Sequence, residues 1–413
     1  MRFNSVSSMI ILLVVLLSAA CSPAAPASPT VAPAKPTSGS PEAAKPVASP
    51  AAPSASPVAS PAASPAAAAL IPAPAAAPAG AKPSFSEQAV ADFYRGKTIK
   101  ILVGYAPGGG YDTFSRMAAR TLPKHIPGNP SIIVENRPGA GSIVAANAVY
   151  NTEVKDGTVI ASFSEGAVLQ QVVGADGIQF DSARYQWLGG NVRTSVACMV
   201  RNDSGIRDFS ELLSGRSVNT PSPGRGNSSH DFPQLMNGLV NTQFKLITGY
   251  AGFPEAQAAF EKNEGEALCV AVDVLVTRLR NLVDGPNAIA KVIVHSGGGT
   301  PDLQDSLLRG VPSVMDSLPG EEAKSLMGAM NTPLQFVRPL AVAPEVPADR
   351  VAALRWALDQ TFRDPQFADD IKGVSPNYSV AATSSGSDVN KVITELFALP
   401  QPVRDRLKVI LSQ

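Results

Sequence analysis

The residues of this chain with the clearest chemical potential are Gly108, Gly109 and Gly110, which are followed by Tyr111 and Asp112. Glycine has no Cβ, so a ligand can approach its main chain closely. If a helix begins here, its first N–H groups have no partner within the helix and are suited to binding an anion. The same glycines would equally serve a plain tight turn between a strand and a helix.

The flanking residues predict the elements that would position this turn. Apolar residues alternate at Ile99, Ile101 and Val103, as is typical of a strand. Apolar residues recur at helical spacing over 114–121, with Asp112 as the predicted N-cap. The glycines therefore lie between the carboxyl end of a strand and the amino end of a helix.

The same unit of strand and small polar loop recurs along the chain. Residues 131–135 predict a second strand, followed by a glycine-containing loop and a helix over 143–150. Residues 158–163 predict a third strand, which ends in the loop 164–166. Three such strands would deliver their loops to one edge of a parallel sheet, and open α/β sheets bind ligands at that edge.

Several classes of protein are excluded by what the sequence lacks. The glycine fingerprints of dinucleotide-binding and phosphate-binding loops do not occur. The 34 basic residues are balanced by 34 acidic ones, which leaves no basic footprint for nucleic acid. The chain has three histidines, His125, His230 and His295, but no hydrolase nucleophile elbow and no zinc-binding motif. We expect no cofactor, no metal and no enzymatic activity; a hydrolase that uses His230 among its neighbouring serines is the weakest alternative.

Residues 1–20 predict an export signal, because Arg2 precedes an apolar run over 9–17 and small residues follow that run. The run is shorter than the ~20 apolar residues that span a bilayer. The residues that lead into Cys21 resemble the end of a bacterial lipoprotein signal, in which the cysteine is lipidated. We therefore expect an extracytoplasmic protein, in the periplasm or on the outer face of the cell membrane, with a lipid anchor at Cys21. An ordinary cleaved signal is the alternative.

Residues 21–84 are nearly all Ala, Pro and Ser, which predicts a disordered linker because this composition offers no apolar pattern to bury. The roughly 330 residues that follow exceed what one core usually organises, so two lobes are expected. This part of the chain contains Cys198 and Cys269, each within an apolar, strand-like run. Buried free thiols are the favoured interpretation, and a disulfide is the alternative open to a protein outside the cytoplasm.

Several stretches, taken together, resemble the Bug-type extracytoplasmic solute receptors of tripartite tricarboxylate transporters. Two of them are the glycine loops already described, and a third contains the Gly-Asn-Ser-Ser-His of residues 226–230. The similar stretches are, in chain order, 105–112, 134–141, 220–230, 249–252, 310–314, 340–344 and 362–367. They follow the order of the family from about Phe93 to the C-terminus.

The resemblance implies an α/β fold of the type II periplasmic binding protein class, with two α/β lobes joined by two crossover strands and a ligand cleft between them. The first lobe would comprise residues 85–197 and 335–413, and the second lobe residues 198–334. The chain would cross near 195–200 and return near 336–343.

The resemblance also implies a function, which is to capture a small organic carboxylate and deliver it to the membrane subunits of the transporter. In the family, main-chain groups and ordered waters of the first two glycine loops hold the carboxylate, rather than an arginine. The candidate ligand-binding residues of the first lobe are Gly108, Gly109, Gly110, Tyr111, Asp112, Pro138, Gly139, Ala140, Gly141, Ser164 and Glu165. Those of the second lobe are Ser222, Gly226, Ser228, Ser229, His230, Tyr250 and Asp273.

Alternatives remain for individual residues and for the function. Asp112 is expected first as a helix cap, and Arg137 as a brace for its own loop. Tyr111 would either stack on a planar ring of the ligand or lie on the surface. A ligand sensor for a membrane signalling receptor would use the same site residues and is the alternative to a transport receptor.

Overall fold

The computed structural model describes residues 84–298, 305–372 and 380–413. Its strands are β1 Thr98–Val103, β2 Ser131–Asn136, β3 Val159–Ser162, β4 Gln186–Gly190, β5 Val196–Arg201, β6 Ser217–Pro221, β7 Gln243–Ile247, β8 Ala267–Ala271, β9 Ala290–His295, β10 Leu340–Val342 and β11 Ser384–Ser385. Its helices are α1 Glu87–Tyr94, α2 Gly110–Thr121, α3 Ile143–Asn151, α4 Gly166–Val172, α5 Phe209–Leu213, α6 Ser228–Val240, α7 Phe253–Glu261, α8 Val272–Arg278, α9 Arg280–Val283, α10 Gly320–Asn331, α11 Ala348–Arg363, α12 Pro365–Lys372, α13 Gly386–Phe397 and α14 Gln401–Leu411. The predicted export signal, Cys21 and almost all of the predicted linker lie outside the described residues.

The first lobe is built on a sheet that has, within the described residues, the strand order β11-β4-β10-β3-β1-β2. Strand β1 pairs in parallel with β2 on one side and with β3 on the other. The side chains of Ile101 and Ile160 are fully buried at the centre of this sheet. The three predicted strands are therefore confirmed, and because they are parallel, the loops at their carboxyl ends meet at one edge.

The second lobe contains two smaller sheets. Strand β5 pairs antiparallel with β8 and with β9, and β6 pairs in parallel with β7. Helix α6 buries Phe232, Leu235 and Met236 in the apolar core around these strands. The apolar stripe of α6 thereby fixes the position of its N-terminus, which carries the serines predicted for the site.

Two crossings join the lobes, as the resemblance implied. The chain leaves the large sheet after β4 and enters the second lobe at β5, and it returns to the large sheet at β10. An antiparallel bridge between Val192 and Val337 ties the outgoing and returning segments together. The residue boundaries that we assigned to the lobes stay a prediction.

Cys198 and Cys269 form a disulfide, so the interpretation of these residues as free thiols is wrong. The antiparallel register of β5 and β8 places the two cysteines directly opposite each other. Both side chains are fully buried. The two residues are separated by 71 positions, so their pairing depends on a strand register that no local pattern shows.

Helix α2 begins three residues earlier than an N-cap at Asp112 predicts. Its N-cap is Gly109, and Asp112 lies in the first turn. The carboxylate of Asp112 accepts a hydrogen bond of 2.8 Å from the backbone N–H of Gly108. This hydrogen bond holds the glycine loop against the first turn of α2, but it does not cap the helix.

A partly buried carboxylate, that of Asp364, marks the junction between α11 and α12. Asp364 lies 2.8 Å from Nζ of Lys124 and 2.9 Å from Nε2 of His125. Burial would raise the pKa of Asp364, but hydrogen bonds from these two side chains and from the Gln366 backbone outweigh it and lower the pKa to about 2. This carboxylate fastens the C-terminal helices to the segment that follows α2.

Candidate functional site

A cavity of about 50 Å³ lies where the first glycine loop meets the N-terminus of α6 and the segment that returns to the first lobe. Its polar lining consists of Tyr105, Gly109, Gly110, Tyr111, Glu165, Asn227, Ser228, Ser229 and Arg338. Its apolar lining consists of Phe253, Val270, Ala271, Val274 and Val337. Since these residues come from both lobes and from a crossing segment, the cavity occupies the cleft between the lobes.

The N-termini of three helices reach this cavity. Gly110 is the first residue of α2, Ser228 the first of α6 and Phe253 the first of α7, and all three residues line the cavity. Each helix carries partial positive charge at this end, and the N–H groups of its first turn have no acceptor within the helix. The three helices together create a favourable environment for an anion.

Arg338 is a cationic residue of the site that the sequence analysis did not identify. It lies in the returning segment, it is only 5% exposed, and it lines the cavity. Its backbone φ is +54°, a left-handed conformation that is uncommon for residues other than glycine and that costs on the order of 1–3 kcal/mol. Arg338 is the single charged residue of the otherwise largely apolar stretch 333–344. A lone charge in such a stretch was the feature of the sequence that could have identified it as a site residue.

Asp273 is the ion-pair partner of Arg338. Its Oδ2 lies 2.7 Å from Nη2 of Arg338, and both side chains are almost completely buried. Burial would lower the pKa of Arg338, whereas Asp273, Tyr111 and Glu165 act in the opposite direction, and the net effect is a raised pKa. Asp273 lies beside Arg338, outside the lining of the cavity, and its predicted contact with the ligand stays a prediction.

Glu165 brings a second buried acid to the cavity wall, and it is 4% exposed. The phenolic hydroxyl of Tyr111 donates a hydrogen bond of 2.5 Å to Oε2 of Glu165. Burial raises the pKa of Glu165, and this hydrogen bond together with the charge of Arg338 offsets only part of the effect. The wall thus contains one guanidinium, that of Arg338, and one carboxyl group, that of Glu165, whose charged form is disfavoured by burial.

Tyr111 does not lie on the surface, which was one of its two predicted positions. Its ring is 4.8 Å, centroid to centroid, from the ring of Tyr105, and both rings line the cavity. The hydroxyl of Tyr105 donates to the carbonyl oxygen of Gly141 and accepts from the Asn227 amide. This aromatic pair carries a polar link from the first lobe to the second.

Several further hydrogen bonds close the cleft around the cavity. Ser164 Oγ donates to the carbonyl oxygen of Gly226 at 2.6 Å, and Arg278 Nη1 donates to the carbonyl oxygen of Gly108 at 2.7 Å. The N–H of Ala106 donates to the carbonyl oxygen of Ala251 at 3.4 Å. Gly108, Ser164 and Gly226 therefore join the two lobes rather than line the cavity.

The second glycine loop also lies outside the cavity lining. Pro138 and Ala140 are exposed. Gly141 lies so close to the second lobe that a Cβ at this position would be 1.8 Å from the carbonyl oxygen of Arg225. Gly139, at φ +144°, completes a turn that only glycine adopts without strain. This loop shapes the contact between the lobes, and its predicted role in binding the ligand stays a prediction.

The polar residues predicted for the second lobe form a network around the start of α6. Asn227 Oδ1 accepts from the N–H and hydroxyl of Ser229, whose Oγ lies 2.9 Å from Oγ of buried Ser222. His230 is buried, and its Nδ1 lies 2.9 Å from Asp231. Ser228 and Ser229 line the cavity, but Ser222, His230 and the half-buried Tyr250 do not.

Two features are absent from the described residues. No group of three or more His, Cys, Asp or Glu side chains is placed to hold a metal ion there. Likewise, none of the helices in residues 84–298, 305–372 and 380–413 has the length and apolar character needed to cross a membrane.

Comparison with known proteins supplies relatives in sequence and in structure. A UPF0065 protein of Bordetella bronchiseptica is 23% identical over 277 residues, which are 65% of this chain and 78% of that protein. Protein BugT of Bordetella pertussis is 35% identical over 74 residues, which are 18% of this chain and 22% of that protein. No protein-family model matches the chain.

Two solved structures illustrate the likeness of fold. MatC from Rhodopseudomonas palustris with bound malate has a TM-score of 0.57 at 17% identity, over 75% of this chain and 99% of that one. An R. palustris protein with adipate has a TM-score of 0.58 at 12% identity, over 75% of this chain and 97% of that one.

The fold is therefore that of a periplasmic binding protein, with two α/β lobes and a cleft, as the sequence led us to expect. Within this class, the chain is related to the Bug-type extracytoplasmic solute receptors, and the resemblance seen in its motifs is confirmed.

Proposed function

We propose that this chain captures a small organic carboxylate outside the cytoplasm and delivers it to the membrane subunits of a tripartite tricarboxylate transporter. The observation that carries the proposal is the convergence of three helix N-termini and the buried guanidinium of Arg338 on one cavity in the cleft. Unpaired N–H groups and helix dipoles favour an anion there. The malate and adipate held by the two structural relatives are carboxylates, which supports the same class of ligand here.

The proposal is tested first by native mass spectrometry of the purified protein, which should detect a copurified organic acid. In a thermal melt, an acid present at about 100 times its Kd should stabilise the protein by ~2.7 kcal/mol. If no acid copurifies, and if none from a broad panel of organic acids shifts the melting temperature, the proposal is wrong.

The position of the site is tested by Gly109→Val. Gly109 has φ −76°, and a Cβ at this position would meet its nearest neighbours at 3.7 and 3.9 Å, so the variant should fold. Its isopropyl group would then stand at the cavity wall and should weaken binding by at least tenfold. Gly328→Val is the matched control, because Gly328 is exposed on α10 and a Cβ there meets nothing within 4 Å. Equal affinity in the two variants would exclude this cavity as the binding site.

We also propose that the mature protein begins at a lipidated Cys21. The apolar run and the small residues before this cysteine support the proposal. Cys21→Ser should move the protein from the membrane fraction to the soluble fraction, and mass spectrometry should find an acyl chain in the unaltered protein only. A Cys21→Ser protein that stays with the membrane, together with an unaltered protein that carries no acyl chain, would rule out the anchor.

A further inference from the structure

The charges in the wall of the cavity nearly cancel one another. The guanidinium of Arg338 is already paired with Asp273 at 2.7 Å, and Glu165 lies in the same wall. These three side chains sum to a formal charge of zero if Glu165 is protonated and of −1 if it is ionised. The guanidinium of Arg338 is thus already paired, and Arg278, outside the lining, donates to the carbonyl oxygen of Gly108, so the positive charge that the lining itself offers a ligand comes mainly from the helix N-termini.

One wall of the cavity is apolar. Val270 and Ala271 at the end of β8 and Val274 on α8 line it, with Val337 from the returning segment. None of these side chains can donate a hydrogen bond. A second carboxylate directed at this wall would lose its hydration without gaining a partner, and an ionised group pays a large penalty for such burial.

We propose that the cavity selects acids that carry one carboxylate and a short apolar body, and that it discriminates against dicarboxylates. The proposal rests on the proposed function and names the class of acid that the same site takes. The single carboxylate lies at the N-termini of α2 and α6, close to Arg338, and the apolar body packs against Val270, Val274 and Val337. The cavity volume of about 50 Å³ corresponds to roughly three to five water molecules, which is about the space of a four-carbon acid.

The discriminating experiment is isothermal titration of the full-length protein with butyrate, succinate and succinamate at pH 7.5. Butyrate and succinate have four carbons each and differ in the number of carboxylates. Succinamate has the same size and shape as succinate but only one charge, so it separates the effect of charge from that of length. We expect butyrate to bind at least tenfold more tightly than succinate, and succinamate to bind more tightly than succinate.

A variant of the cavity wall tests the role assigned to Glu165. Glu165→Gln removes an acid from the wall, so the affinity ratio of butyrate to succinate should fall by at least threefold. Glu321→Gln, on the exposed N-terminal turn of α10, is the matched control and should keep the original ratio. If Glu165→Gln does not fold, the three titrations on the unaltered protein still decide the proposal.

The outcomes separate this proposal from the proposed function. Succinate that binds as tightly as butyrate, or a copurified acid with two carboxylates, would overturn the selectivity and leave a carboxylate receptor in place. A copurified acid with one carboxylate would support both. If no acid binds, added or copurified, both proposals are wrong.

Discussion

The disulfide between Cys198 and Cys269 should account for a large part of the stability of the second lobe, and its removal is a sharp test of the structure. The cross-link closes a loop of 71 residues. On the chain-entropy account, such a loop restricts the unfolded state by about 15 cal/mol/K, which is about 4 kcal/mol at 25 °C. Replacing both cysteines with alanine should therefore lower the free energy of unfolding by about 4 kcal/mol.

The measurement is urea denaturation followed by circular dichroism, in the unaltered protein, in Cys198→Ala, in Cys269→Ala and in the double variant. Each single variant breaks the cross-link as completely as the double variant does, so all three should lose nearly the same free energy. A thermal melt should agree: roughly 330 residues at ~2.1 cal/mol/K each predict a fall of about 6 °C.

The free energies lost by the three variants would show whether the disulfide is absent. Two free buried thiols would contribute packing energy only, so each single variant would lose well under about 4 kcal/mol and the double variant would lose more than either. Thiol titration of the denatured protein gives an independent check, since reduction should add two reactive thiols. Small single losses and an unchanged thiol count would refute the disulfide.

Three further predictions concern other parts of the molecule. The pKa of Asp364 is about 2 in the folded protein, against an ordinary value of 3.8, so this carboxylate stabilises the fold fully above pH 4 and its contribution is lost as the pH falls toward 2. Asp364→Asn should therefore lower the free energy of unfolding by up to about 2 kcal/mol at pH 7. Urea denaturation near pH 2 should find no difference between the variant and the unaltered protein. Gly110→Ala should lower the free energy of unfolding by about 1–3 kcal/mol, because its Cβ would lie 2.9 Å from Nε of Arg338. Gly109→Ala should lower it by less than about 1 kcal/mol. Equal melting temperatures of the two variants would contradict the close approach of Arg338 to Gly110. A truncated protein that starts at Phe85 should bind its ligand with an affinity within twofold of that of the full protein, a difference in binding free energy under ~0.5 kcal/mol. Direct titration measures this, and a tenfold loss of affinity would show that the preceding segment takes part in the site.

Local sequence patterns were sufficient to predict most of the strands and turns around the site in the first lobe. The alternation at Ile99, Ile101 and Val103 is visible over six residues, and the strand it predicts is β1. The glycines that follow predict a strand-to-helix turn without any knowledge of the rest of the fold. The prediction was wrong only in the position of the N-cap, which is Gly109 rather than Asp112. The backbone conformation determines which residue is the N-cap, and the residue type only favours that position.

The features that the sequence did not predict depend on contacts between distant parts of the chain. Arg338 reaches the cavity only because the chain crosses back between the lobes, and its partner Asp273 comes from the start of α8. The register of β5 and β8 decides the pairing of Cys198 with Cys269 in the same way. A motif can identify a loop, but it does not tell whether the loop faces the cavity, as Gly109 does, or the opposite lobe, as Gly141 does.

The hydrogen bonds that join the lobes have a consequence for the conditions under which the protein works. Those of Ser164 with Gly226, of Tyr105 with Asn227 and of Ala106 with Ala251 each join two uncharged groups. Dissolved salt screens exposed charges within about 10 Å at 0.1 M, but it acts little on neutral or buried pairs. The hydrogen bond of Arg278 with the carbonyl oxygen of Gly108 involves one charged group, but its partner is neutral, so closure of the cleft should depend only weakly on ionic strength. A receptor outside the cytoplasm, the role proposed above, would meet whatever salinity the surroundings impose, and contacts of this kind would let its cleft close in dilute and in saline media alike.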